Sequence, residues 1–136
     1  MFLESSGKMW DGITFTFMRA FLSRLDFALQ GWLYFFRTEA NGRIQAVIAV
    51  LVVAAGFFLK VSPQEWLGIL LCIGLVTGLE MVNTAIETLA NRLHPDRHPD
   101  IKIVKDVAAG AVLWAAVISV IIGAVIFLPK VWGLVA

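Results

Sequence analysis

The chain has 136 residues, enough for one domain. Hydrophobic residues make up 60% of it and charged residues 15%, with a mean hydropathy of +0.84, which excludes an ordinary soluble domain and points to the membrane. A net charge of +1 with dispersed basic residues argues against a nucleic-acid partner, and Cys72, the single cysteine, leaves no internal disulfide.

Residues 1–12 are weakly patterned and contain no basic segment followed by an apolar core and cleavage site, so no signal peptide is expected. A helix is predicted over residues 13–37. Arg19, Ser23, Asp26, Gln30 and Arg37 fall on one narrow stripe of it at about 100° per residue, opposite a broad face of Phe, Trp and Leu. That pattern fits an amphipathic helix lying in the membrane interface. The alternative is a tilted span, but so many polar interruptions are costly to insert. Thr38 to Arg43 is a polar break, and the first span is predicted over residues 43–60, with Arg43 and Lys60 snorkelling at its ends.

Val61-Ser62-Pro63-Gln64-Glu65-Trp66 is a helix start: Ser62 as N-cap, Pro63 at the first helical position and Glu65 two further on make a capping box. Val61 and Trp66 are spaced for the accompanying hydrophobic staple. The second span is therefore predicted over residues 63–93, ending before His94-Pro95. A polar loop follows, in which His94 and His98 read as surface residues. The third span is predicted over 101–128, capped by Asp100 and stopped by Pro129. Lys8, Arg19, Arg24, Arg37 and Arg43 precede the first span, and Arg92, Arg97, Lys102 and Lys105 flank the second loop; only Lys60 and Lys130 lie on the other side. The positive-inside rule then puts the N-terminus and the second loop in the cytoplasm and the C-terminus outside.

The apolar run from Trp66 carries no charge until Glu80, after which Asn83 and Glu87 fall on the same helical face. If Trp66 marks one interface, Glu80 lies roughly 9 Å inside the opposite leaflet and Glu87 at its surface. Matching heights across an antiparallel pair sets Glu87 level with about Val107, so Lys105 and Asp106 lie within a turn of it. Glu39 brings a third acid to the same boundary. Paired carboxylates hold Mg²⁺ together with substrate phosphates, and a nearby lysine neutralises phosphate oxygens. Glu80 lies deeper, where a lipid hydroxyl can reach it, and suits the task of taking the acceptor's proton in phosphoryl transfer. Two other readings compete. The charges can form a buried ion-pair network, with Asn83 as interhelical glue, or Glu80 can be the carrier carboxylate of a small proton- or cation-coupled transporter. A transporter favours an acid at the midplane and inverted repeats, and neither is found. No Walker A or soluble-kinase signature occurs.

The stretch Glu80-Met81-Val82-Asn83-Thr84-Ala85-Ile86-Glu87 resembles the E-[LI]-[LV]-N-[ST]-A-I-E motif of the small integral-membrane prokaryotic lipid kinases, the diacylglycerol and undecaprenol kinases. Arg37-Thr38-Glu39 with Asn41 and Arg43, then His98, Lys105-Asp106 and Gly110 to Leu113, extend the likeness over roughly Phe27 to Leu128. Residues 1–18 have no counterpart, and Met18 is a candidate start. The resemblance implies a homotrimer of three-span subunits in the bacterial inner membrane, using ATP and Mg²⁺. It implies Glu80 as the base that also binds substrate with Asn83, and Glu39 and Glu87 as the metal-holding acids. Asn83, Lys105 and Asp106 would complete the nucleotide site. The implied reaction converts diacylglycerol to phosphatidic acid, with undecaprenol to undecaprenyl phosphate as the alternative. Asn91 stands where some members carry an acid and Ala109 where some carry serine; both lean toward the undecaprenol kinases.

Overall fold

The computed structural model describes the backbone of residues 2–93 and 98–135, with side chains from Phe17 onward in those ranges. The chain is all-helical in element order, α1 (Phe2–Thr38), α2 (Ala40–Phe58), α3 (Pro63–Leu93) and α4 (Pro99–Val135), and divides into two units at Thr38 and Glu39.

The first unit is α1, which starts well ahead of Ile13, at Phe2. Its polar stripe is internally bonded: the Gln30 amide donates to Asp26 at 2.8 Å, one turn apart. The other faces carry exposed Phe17, Phe21, Phe27 and Trp32, with Trp32 packed edge-on against Phe36. Three helices among the described residues are long and apolar enough to cross a membrane, and α1 is not one of them.

The second unit is the bundle of α2, α3 and α4, which are those three helices. Their large apolar side chains are mostly exposed, Leu71 and Val120 among them, a surface that only lipid or protein can cover. The turn from α2 to α3 is closed by hydrogen bonds. Val61 N–H bonds the Gly56 carbonyl at 3.0 Å and Lys60 N–H the Phe57 carbonyl at 3.3 Å, a Schellman pattern with Lys60 in the left-handed region at φ 51°. The capping box then opens α3: Ser62 N–H donates to Glu65 Oε2 at 2.6 Å, and Glu65 N–H to Ser62 Oγ at 3.3 Å. Trp66 packs on the cluster of Val61, Ile69 and Ile126, as the staple requires. Gly56 is buried under its ring, so α2 is pinned to α3 at this corner.

The limits of α4 depart from expectation at both ends. Pro99 takes the first helical position and His98 the cap: Lys102 N–H bonds the His98 carbonyl at 3.1 Å, and His98 Nδ1 accepts from Asp100 N–H at 3.3 Å. Asp100 is thus a first-turn acid rather than the cap. At the other end the helix continues through Pro129 to Val135. The continuation brings Lys130 to Glu65, with N and O 3.0 Å apart, and this pair ties the far end of α4 to the start of α3. His94 lies outside the described residues.

Candidate active site

The seam between α3 and α4 builds the site. Ile69, Glu80, Asn83 and Ala90 are buried on α3, and Ile73, Val76 and Glu87 between them are half-buried. Their spacing averages about 3.5 residues, the repeat that keeps one face of a helix against an antiparallel partner. On α4, Ile101, Lys105, Ala108, Val112, Ala115, Ser119, Ile122 and Ile126 are the buried and half-buried positions at the same repeat. The α3 seam is apolar at the end holding Ile69 and polar at the end holding Glu80, Asn83 and Glu87.

Two cross-links fix the register. Lys105 Nζ donates to Asn91 Oδ1 at 3.1 Å at one end, and Lys130 meets Glu65 at the other. Counting between them sets Glu80 level with Ala115 and Ala116, Asn83 with Val112, and Glu87 with Ala108. Small side chains therefore stand opposite the two acids. The Ala115 residue facing this level is itself buried.

The polar groups of this seam are under-satisfied. Glu80 is only 4% exposed and takes part in no hydrogen bond or ion pair among the described residues. Asn83 is 8% exposed; its amide nitrogen donates to Glu87 Oε1 at 3.4 Å, while its Oδ1 is buried without a partner. A buried orphan carbonyl such as Asn83 Oδ1 costs about 1–3 kcal/mol. Such groups are tolerated where a ligand completes them.

Glu39, Glu87 and Lys105 lie at the same end of the bundle. Glu39 is the N-cap residue of α2, yet its side chain makes no capping hydrogen bond, so the carboxylate is not consumed by the helix it starts. Lys105 is half-buried and held by a neutral amide, which orients the ammonium without cancelling its charge. Asp106 lies off the seam, exposed and paired with Lys102 on the same helix. Among the described residues no three acidic, histidine or cysteine side chains converge as a ready metal cage. Glu39 and Glu87 would suit Mg²⁺ rather than a cage-bound ion, because Mg²⁺ takes one or two carboxylates and completes its shell with phosphates and water. The partners Asn91 and Lys102 were not expected from sequence; only the close height of Lys105 and Glu87 pointed to them.

Three helices long and apolar enough to cross a membrane, with acids, an amide and a lysine toward one end, are what a small integral-membrane enzyme acting on phosphates would present. Residues 26–127 match the prokaryotic diacylglycerol kinase family, and the chain belongs to it. The chain is accordingly an ATP-using membrane lipid kinase. It is 48% identical over 94 residues to the undecaprenol kinase of Bacillus subtilis, covering 69% of this chain and 76% of that one. It is 37% identical over 109 residues to the diacylglycerol kinase of Synechocystis, covering 79% of this chain and 62% of that longer one. Against the diacylglycerol kinase of Pseudomonas aeruginosa it is 32% identical over 114 residues, 83% of this chain and 92% of the relative.

Proposed function

We propose that the chain transfers the γ-phosphoryl group of ATP to the hydroxyl of undecaprenol in the bacterial inner membrane, with Glu80 as the general base. The observation that carries this is a Glu80 only 4% exposed, bonded to nothing among the described residues, one turn from the orphaned Asn83 carbonyl. An acceptor hydroxyl donates its proton to the Glu80 carboxylate as its oxygen bonds the γ-phosphorus; the bond from that phosphorus to the bridging oxygen breaks and ADP leaves. Asn83 Oδ1 accepts from an ordered water, while its amide nitrogen keeps Glu87 aligned. Glu39 and Glu87 would hold Mg²⁺, which would supply charge neutralisation of the phosphates. Lys105, steadied by Asn91, meets phosphate oxygens as a fixed positive charge, and Asp106 holds the α4 face beside the nucleotide through Lys102.

Undecaprenol is favoured over diacylglycerol by the relative of 48% identity that bears its name and by Asn91 and Ala109. Diacylglycerol is the second reading, favoured by the family's description and by the other two relatives. The positive-inside distribution supports a cytoplasmic N-terminus and α3–α4 connection, with α1 resting on that leaflet and the C-terminus outside. The wide exposed apolar faces of α2 and α4 leave ample area for assembly as a homotrimer. Purified protein with ATP and Mg²⁺, offered each lipid in turn, tests the assignment. Phosphorylation of undecaprenol well above diacylglycerol is expected; the reverse order moves the acceptor to diacylglycerol, and no phosphorylation of either contradicts the proposal.

A further inference from the structure

A cavity of about 390 Å³ lies between α2, α3 and α4, within the ~300–1,000 Å³ range of ligand sites. Its α3 wall, from Ile69 through Ile73 to Thr77, is the direct continuation of the stripe that carries Glu80, Asn83 and Glu87. Thr77 is one turn from Glu80, about 4.5 Å along the axis, and the wall runs on from there for about 12 Å. Room for the cavity comes from small residues, Ala49 on α2 and Ala116 and Gly123 on α4. A methyl group placed on Gly123 would meet nothing within 4 Å.

The cavity is polarised along its length. Gln45 of α2 lines it and its Oε1 is buried without a partner. Counting back along α2 from the contact of Gly56 with Trp66 sets Gln45 level with about Thr77, at the end nearest Glu80. The opposite end is walled by Ile69 and Phe127, with Ile122 level with Ile73 between the two ends. The pocket is a groove open at its side, and an open apolar groove at membrane depth takes up hydrocarbon chains. An unmet acceptor at the mouth and hydrocarbon walls below match an amphiphile with its hydroxyl end toward Glu80 and its chain directed down.

We infer that this cavity is the seat of the acceptor lipid's hydrocarbon chain, holding the segment next to the hydroxyl. The inference rests on the reading of Glu80 as the group the hydroxyl approaches. It makes the cavity a determinant of specificity: the enzyme selects alcohols carrying a long, slender chain, and Gln45 orients the polar end.

Cys72 lines the cavity and is the only thiol in the chain, so it reports on occupancy in the native protein. The experiment measures its modification by a small membrane-permeant thiol reagent, with undecaprenol or with a short-chain prenol bearing the same hydroxyl. With the long lipid at about ten times its Kd, roughly one site in ten stays open and labelling should slow about tenfold. The short alcohol at equal concentration should protect far less. Gly123→Leu should slow labelling without lipid and raise the KM for the long acceptor by about tenfold or more, the worth of a methylene or two in an apolar pocket. Ala49→Leu, from the opposite wall, should do the same, so the test does not hang on one variant's folding. Labelling that ignores the long lipid overturns the inference, as does labelling that slows with protein assembly alone, which would mean a second copy fills the cavity. Glu80→Gln separates the two readings: protection of Cys72 should survive in it even if its turnover proves normal and the base assignment falls.

Discussion

Gly56→Ala tests the corner that fixes α2 against α3. The new methyl carbon would stand 2.8 Å from Trp66 Cη2, 3.0 Å from Cζ2 and 3.4 Å from Cζ3, so it meets a whole ring edge rather than a pliable chain end. The ring has little room to retreat. Phe57 lies against it with centroids 4.9 Å apart, and Trp66 packs on Val61, Ile69 and Ile126. Overpacking of this kind costs about 1–3 kcal/mol, roughly a 5- to 150-fold loss in the folding equilibrium. Reversible unfolding of the purified protein in mixed detergent micelles measures it. Trp66→Leu removes the ring edge, so the double variant should recover part of the loss, a coupling visible as non-additivity. Wild-type stability in Gly56→Ala, or strict additivity with Trp66→Leu, would refute the argument that this contact pins α2.

Lys60→Gly should raise stability by about 1 kcal/mol in the same unfolding assay, because glycine takes the left-handed conformation at φ 51° without the steric cost that lysine bears. Unchanged stability would mean that the turn adapts around lysine. Glu87→Gln should weaken Mg²⁺-dependent nucleotide binding by about tenfold or more while leaving binding of the lipid acceptor intact, since charge-assisted contacts are worth about 1.5–3 kcal/mol. Equal Mg–ATP affinity by calorimetry would remove Glu87 from the metal role. Single cysteines along α1 in a Cys72-free background should label from the cytoplasmic side only, with no deeply protected centre; labelling of its start from outside would contradict an interfacial helix.

Local signals were legible in the sequence and long-range ones were not. Ser62, Pro63 and Glu65 specify their own hydrogen bonds within one turn, so the start of α3 follows from the letters alone. The stripe of Glu80, Asn83 and Glu87 follows equally from helical periodicity, and its burial from the apolar run that precedes it. Pro129 was misleading because its effect on α4 is settled by neighbours: Lys130 finds Glu65, which lies at the far end of a different helix. His98 outranked Asp100 as cap because Pro99 occupies the first helical position, leaving the imidazole to accept the Asp100 N–H. A Schellman turn is read from glycine, and Lys60 carries no such mark. The tie of Lys105 to Asn91 and the exposed placement of Asp106 needed the register of α3 on α4, which periodicity constrains only to within a turn. Gln45 gave no signal at all, since one amide in an apolar span becomes meaningful only when a cavity is seen beside it.

The central claim, a lipid kinase whose buried Glu80 takes the acceptor's proton, is tested most directly by lipid phosphorylation in Glu80→Gln. The substitution preserves shape and hydrogen bonding at a buried position that bonds no side chain among the described residues. Turnover on undecaprenol should fall by about 10²–10⁴-fold, the usual share of a general base. Mg–ATP affinity and assembly, measured on the same preparation, should stay at wild-type values because Glu39, Glu87 and the packing seam are untouched. Near-normal turnover in Glu80→Gln would contradict the account.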